Sequence, residues 1–297
     1  MSGVAEIRRG TIEANGLQFE YLECGDSGPL ALCLHGFPDS AWTWRHLLPR
    51  LADAGFHAVA PWLRGYAPTA VPADGHYDTG SLALDAGALH QGLGGDGDAV
   101  LVGHDWGALV GYSAVHDDQA RWRRLVTMAV PPPAAILGAF LSYDQLHRSW
   151  YMFLFQHPLA ELAMPQDDLA FIDRLWADWS PGYDAAEDLP HVKDALREPA
   201  NLAAAIGYYR ATLGEVAVNP DPAAVALRAA GNQPVPVPTL YLHGRTDGCM
   251  GADLAEAAGA LFPQEGSRVE LVDAAGHFLQ LERPDEVNRL VLDFLVP

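Results

Sequence analysis

The chain has 297 residues, 49% of them hydrophobic, with 38 acidic against 18 basic side chains and a net charge of −20. That length allows one large domain with an inserted subdomain and a substantial core, while the negative charge argues against nucleic-acid phosphates, an anionic membrane face and polyanionic substrates. Small neutral substrates stay open, because net charge governs solubility and steering rather than the interior of a pocket.

The opening segment "MSGVAEIRRG" lacks the apolar run of a secretory signal, and no later window is long and apolar enough to span a bilayer, so a cytoplasmic protein without a membrane partner is expected. Two short alternating strands follow around Asn15-Gly16, a dipeptide suited to a tight hairpin. Then "LALCLHG" (30–36), "HAVAPWLRG" (57–65), "DAVLVGHD" (98–105) and "RLVTMAV" (124–130) form short apolar runs separated by helix-compatible stretches, the rhythm of a parallel sheet with crossover helices. From "PPPAA" (131–135) to "PVPVP" (234–238) the pattern turns helical and rich in Trp, Tyr, Leu and Ala. The sheet returns with "TLYLHG" (239–244) and "RVELVDAAGH" (268–277), and "PDEVNRLVLDFL" (284–295) closes the chain as a proline-started helix. The expected architecture is an α/β fold with a mostly parallel sheet flanked by helices: core residues 1–131, a helical cap over 132–235, and core again over 236–297.

Several motifs carry no chemistry. "GLGGDG" (92–97) matches G-x-G-x-x-G but precedes a strand, so its glycines cannot present a helix N-terminus to a phosphate. Cys24, Cys33 and Cys249 are odd in number and lack metal-ligand spacing, which fits reduced thiols and no metal.

Gly103-His104-Asp105-Trp106-Gly107 is different: it lies between an expected strand and helix, where flanking glycines permit the strained turn that exposes a nucleophile. Asp105 occupies the nucleophile's place, although an aspartate there would also serve as an ordinary helix N-cap. Asp247 follows one later strand and His277 follows the next, giving the chain order nucleophile, acid, histidine. Taken singly, Asp247 reads equally as a turn residue and His277 as a hydrogen-bonded loop histidine. His35-Gly36-Phe37-Pro38, directly after a buried strand, places the backbone N–H of Phe37 where it can join that of Trp106 in an oxyanion hole; a Gly-Pro turn is the plainer alternative.

With these residues in hand, "HGFPDS", "RGY" (64–66), "GHDWGA" and "GHFLQLERP" (276–284) resemble the epoxide hydrolases of the α/β-hydrolase fold over nearly the whole chain, least so in the cap. The resemblance implies a cis Phe37-Pro38 peptide, supporting roles for His35, Pro38, His104, Arg64 and Tyr66, and two cap tyrosines that donate to the epoxide oxygen. Its patterns select Tyr151 in "YMFLFQHP" and Tyr209 in "IGYYRATLG", with Tyr208 second. Helical spacing puts Leu202, Ala205, Ile206, Tyr209 and Leu213 on one face, so Tyr209 is expected to point inward. Both tyrosines also suit ordinary core packing.

The family implies epoxide plus water to vicinal diol without a cofactor. A carboxylate is ionised at neutral pH and can attack a saturated carbon directly, leaving an ester for His277 to hydrolyse. Haloalkane dehalogenases share the aspartate and Trp106 but commonly have Asn where this chain has Phe37, and haloacetate dehalogenases typically have Arg where it has Trp106. A binding protein that has lost turnover is the other alternative. "APTA" after "RGY" departs from the family's expected Gly-x-Ser-type continuation. Trp150, Phe153, Trp176 and Trp179 suit an apolar epoxide pocket and suit cap core equally. A homodimer is compatible with the sequence but not read from it.

Overall fold

The computed structural model describes residues 6–118, 120–214 and 216–296; the segment Met1–Ala5 lies outside the described residues. Eight strands form one sheet: β1 (Arg8–Ala14), β2 (Leu17–Cys24), β3 (Leu30–Leu34), β4 (His57–Pro61), β5 (Val100–His104), β6 (Arg124–Met128), β7 (Thr239–Gly244) and β8 (Arg268–Val272). They lie in the order β1-β2-β4-β3-β5-β6-β7-β8. The β1-β2 hairpin turns at Asn15 and Gly16, both with positive φ, and β2 pairs antiparallel with β4. All remaining pairs are parallel. β3, β5 and β7 are buried along their whole length, which is why they read as unbroken apolar runs instead of alternating ones.

The core helices are α1 (Leu48–Asp53), α2 (Thr79–Gly92), α3 (Trp106–Ala114), α12 (Leu254–Ala258), α13 (Leu279–Glu282) and α14 (Pro284–Leu295). Asp78 caps α2 by accepting from the N–H groups of Gly80 and Ser81. Between β6 and β7 the chain leaves the sheet for α4 (Pro133–Ile136), α5 (Tyr143–Arg148), α6 (Trp150–Leu154), α7 (Leu159–Ala163), α8 (Gln166–Trp179), α9 (Leu189–Leu196), α10 (Pro199–Leu213) and α11 (Pro222–Ala230). α11 packs on α2 and α3, so the helical stretch of 132–235 includes one helix that rests on the core. No helix among the described residues is long and apolar enough to cross a membrane.

In α10, Leu202, Ala205, Ile206 and Tyr209 are buried as helical spacing predicts, but Leu213 is 42% exposed because it ends the helix at the cap surface. Tyr208 is buried as well, since α10 is enclosed on more than one side. Trp150 and Phe153 sit at the surface, 45% and 50% exposed, whereas Trp176 and Trp179 are inside. The expectation that all four aromatics line an apolar pocket therefore fails for Trp150 and Phe153.

Candidate active site

Parallel strands release their loops at the same sheet edge, and the ends of β3, β5, β7 and β8 bring His35–Asp39, Asp105, Asp247 and His277 together there. Asp105 follows β5 with φ 52° and ψ −114°, a strained conformation for a non-glycine residue. It makes no side-chain cap to α3, so the N-cap alternative does not describe it.

The turn is possible because its neighbours lack side chains. A Cβ on Gly103 would lie 2.2 Å from the carbonyl oxygen of Gly107, and one on Gly107 would lie 2.0 Å from that of Leu34. A Cβ on Gly36 would meet Oδ1 of Asp105 at 2.3 Å.

The two oxygens of Asp105 have different surroundings. Oδ1 accepts the backbone N–H of Phe37 at 2.7 Å, and Oδ2 faces Nε2 of His277 at 3.7 Å. Trp106 begins α3, where first-turn amides have no intrahelical acceptor. Phe37-Pro38 is cis, as is Ala67-Pro68 within the unusual "APTA".

On its other side, Nδ1 of His277 lies 2.9 Å from Oδ2 of Asp247. Asp247 Oδ1 accepts the N–H groups of Cys249 (2.7 Å) and Met250 (3.0 Å), which fixes the carboxylate. Burial of His277 works against its charged form, but Asp247 and then Asp105 outweigh it and raise the imidazole from 6.5 to about 10. Asp247 is held below the ordinary carboxylate range: burial pushes it up, and His277 more than reverses this. The resting pair is thus imidazolium and carboxylate, with Nε2 buried and making no hydrogen bond.

The supporting histidines are neutral. Leu63 N–H donates to His35 Nε2 at 3.0 Å, so Nδ1 carries the proton and donates to the carbonyl of Gly36 at 2.9 Å; burial lowers this ring to about 4. His104 Nε2 lies 2.9 Å from the carbonyl oxygen of His277, which makes it the donor, and burial lowers this imidazole to about 3. The Pro38 carbonyl accepts the indole N–H of Trp176 at 2.8 Å, tying the loop after β3 to the cap.

Above Asp105 the cap contributes Tyr151 from α6 and Tyr209 from α10, with ring centroids 5.6 Å apart. Tyr209 stands edge-on to Phe37 at 5.2 Å and to Trp106 at 5.0 Å. Its hydroxyl is buried and makes no hydrogen bond, whereas that of Tyr151 lies 3.4 Å from Sγ of Cys249. Burial first, then Cys249 for Tyr151 and Asp105 for Tyr209, pushes both phenols well above 10, so both are held as neutral donors. Tyr208 instead donates to the backbone carbonyl of Arg64 at 2.8 Å, away from the pair. Arg64 is forked onto Asp85 by two bonds of 2.6 Å, and Tyr66 packs edge-on to His35.

Every candidate residue therefore lies in or beside one cluster. Sequence reading missed three others. Asp39 is buried with Oδ2 unpaired, 3.7 Å from Nδ1 of His104, and burial pushes its carboxyl well above the usual range. Nothing in "HGFPDS" separates it from a turn aspartate. Cys249 was set aside with the other thiols, although it stands two residues past Asp247. Gln145 of α5 gave no signal at all; it is buried and donates to the carbonyl of Cys249 while accepting from the N–H of Gly251.

Among the described residues no group of His, Cys, Asp or Glu is arranged to hold a metal ion. Clefts of about 530 and 390 Å³ open on the cap surface, and Asp105 lines neither.

Residues 29–284 match the family model of the alpha/beta hydrolase fold, and the chain is 31% identical to epoxide hydrolase A of Mycobacterium tuberculosis over 96% of each chain. The chain belongs to the epoxide hydrolase branch of the α/β-hydrolase family. Epoxide hydrolase 3 of Xenopus tropicalis is 32% identical over 95% of this chain and 75% of its own. Among solved structures, epoxide hydrolase A of Mycobacterium thermoresistibile superposes with a TM-score of 0.81 at 28% identity over 98% of both chains. The epoxide hydrolase of Bacillus megaterium, solved with an inhibitor, gives 0.81 at 27% identity over 97% of this chain and 100% of that one.

Proposed function

We propose that the protein converts an epoxide and water to a vicinal diol through an ester on Asp105, with a small apolar epoxide as substrate and no cofactor. What carries this reading is that two neutral, buried phenols, those of Tyr151 and Tyr209, stand together close enough to feel the charge of Asp105. A serine enzyme attacking a carbonyl has no need of proton donors on that side, whereas an opening epoxide releases an alkoxide there.

Oδ2 of Asp105 attacks a ring carbon and the carbon–oxygen bond of the epoxide breaks. The released electron pair stays on oxygen, which takes a proton from Tyr151 or Tyr209. Oδ1, already on the N–H of Phe37, becomes the ester carbonyl oxygen. Esterification removes the charge of Asp105, one of the two carboxylates that hold His277 protonated, so the imidazolium becomes a stronger acid just as a tyrosinate has formed. Its proton restores the phenol, and neutral His277 is left as the base.

His277 then takes a proton from water, whose oxygen adds to the ester carbon; the oxyanion is stabilised by the N–H groups of Phe37 and Trp106. Collapse breaks the ester bond, and the carboxyl proton passes to the departing diol oxygen. Asp105 is again a carboxylate and His277 an imidazolium, as at the start. Asp247 orients the ring and stabilises its charge throughout.

Incubation with styrene oxide, a long-chain aliphatic epoxide and 1-bromobutane tests the reading, with Asp105→Ala as control. Diol that is lost in the variant is expected. In a single turnover in ¹⁸O-water, the first diol should carry oxygen from Asp105 and none from solvent. Bromide release without diol would transfer the protein to the dehalogenase reading, against which Phe37 and the two phenols stand.

A further inference from the structure

His277 sits on a short loop between β8 and α13, and the cap takes part in holding it. At the end of α8, the carbonyl oxygen of Trp179 accepts the backbone N–H of His277 and also that of Gly248, both at 3.0 Å. One cap carbonyl thus bridges the loop of the base and the loop of its acid. The approach is close: a Cβ on Gly248 would lie 2.0 Å from the carbonyl oxygen of Asp178, and one on Gly276 would lie 2.6 Å from Cα of Ser180.

Ser180 completes the clamp. Its hydroxyl donates to Oε1 of Glu282 at 2.6 Å and accepts the N–H of Phe278 at 3.1 Å. The Glu282 carboxylate in turn accepts the N–H of Gly276, at 2.8 and 3.0 Å to its two oxygens. Three consecutive amides, those of Gly276, His277 and Phe278, are therefore fixed by Trp179, Ser180 and Glu282. Ser180 is 1% exposed, so water does not compete for its bonds. Neither Ser180 nor Glu282 hydrogen-bonds the ring of His277 or the carboxylate of Asp105.

The geometry points to Ser180, acting with Glu282, as a positioning residue for His277: a cap hydroxyl sets the base loop, so that the base is in register only while the cap is docked. The inference rests on the reading that His277 hydrolyses an Asp105 ester. Ester formation needs Asp105 and the phenols, whereas hydrolysis needs Nε2 of His277 within reach of a water beside the ester carbon. A displaced base loop therefore burdens the second half-reaction selectively.

Ser180→Ala and Glu282→Gln test this, with Ser180→Thr as the conservative variant that keeps the hydroxyl. Rapid-quench kinetics with intact-mass detection should show ester hydrolysis slowed on the order of ten- to a hundredfold, ester formation changed by less than about twofold, and ester accumulating; displacement near 1 Å of a reacting group has effects of that size. Ser180→Thr should recover most of the rate. Without substrate, the imidazole ¹⁵N resonances of His277 should move in Ser180→Ala and Glu282→Gln and return in Ser180→Thr. Equal slowing of both half-reactions, or a lower melting temperature with unchanged ring resonances, would overturn the inference. If the wild type forms neither ester nor diol, the functional reading fails by itself, and the His277 resonances still decide whether Ser180 positions the ring.

Discussion

Asp247→Asn is the substitution whose consequence the site defines most sharply. The amide oxygen of asparagine can keep the N–H groups of Cys249 and Met250, now 2.7 and 3.0 Å from Oδ1, so the loop should persist. Its NH₂ then faces Nδ1 of His277, where the carboxylate oxygen lies at 2.9 Å. An NH₂ there forces Nδ1 to accept and Nε2 to carry the proton, which is the wrong tautomer for a base acting through Nε2. The rise of His277 from 6.5 to about 10 corresponds to roughly 5 kcal/mol in favour of the imidazolium, held by Asp247 first and Asp105 second against burial. Without Asp247 the ring rests in the wrong tautomer and its charged form loses its main support, which should slow hydrolysis on the order of ten-thousandfold, about 5 kcal/mol of barrier. Ester formation makes no use of the base and should continue. Mixing variant and epoxide in a rapid-quench flow apparatus, with intact-mass spectrometry, should show near-stoichiometric ester that persists for many minutes. Hydrolysis at the wild-type rate, or loss of ester formation in a correctly folded variant, would refute the tautomer reasoning.

Tyr209→Phe and Tyr151→Phe should each slow ester formation on the order of a hundredfold, the scale for removing one donor to a developing oxyanion; stopped-flow measurement with equal rates in wild type and double variant would remove both from the chemistry. Gly36→Ala puts a methyl group 2.3 Å from Oδ1 of Asp105 and should abolish diol formation while circular dichroism stays unchanged. Arg64→Met strands buried Asp85, and losing one partner of such a pair costs about 3–5 kcal/mol, readable in urea unfolding; Arg64→Met combined with Asp85→Leu should recover part of it. Because His277 is raised above its unfolded value near 6.5, its contribution to stability is full below that pH and lost as pH climbs toward about 10. His277→Gln should flatten that part of the stability profile, and an unchanged slope would show that other groups cause it.

Much of this was legible in the sequence because the core obeys local rules. Buried parallel strands leave apolar runs, and the strained turn at Asp105 needs glycines at 103 and 107, so strand ends and that turn announce themselves. Order and position after strands singled out Asp247 and His277, and the structure brings them within 2.9 Å of each other. The cap was harder: Tyr208 and Tyr209 differ in sequence by nothing but helical phase, and the structure separates them by the partner of Tyr208, the Arg64 carbonyl. Trp150 and Phe153 look like core residues by type, yet they face outward, because apolar surface is common on folded proteins. Gln145, Ser180 and Asp39 act through contacts with residues far along the chain, and no periodicity reports those.

The hydrogen bond from His104 to the carbonyl of His277 spans 173 residues, whereas the bond from Phe37 to Asp105 spans 68. During synthesis, Asp105 and Phe37 are therefore both made long before His277 joins the chain. On the proposed reading, the carboxylate that attacks and its Phe37 donor come first, the phenols of Tyr151 and Tyr209 follow in the cap, and the base that releases the product comes after the last strand. On that reading, His277, late among the side chains of the site to be made, decides whether a molecule turns over or stops at an ester on Asp105.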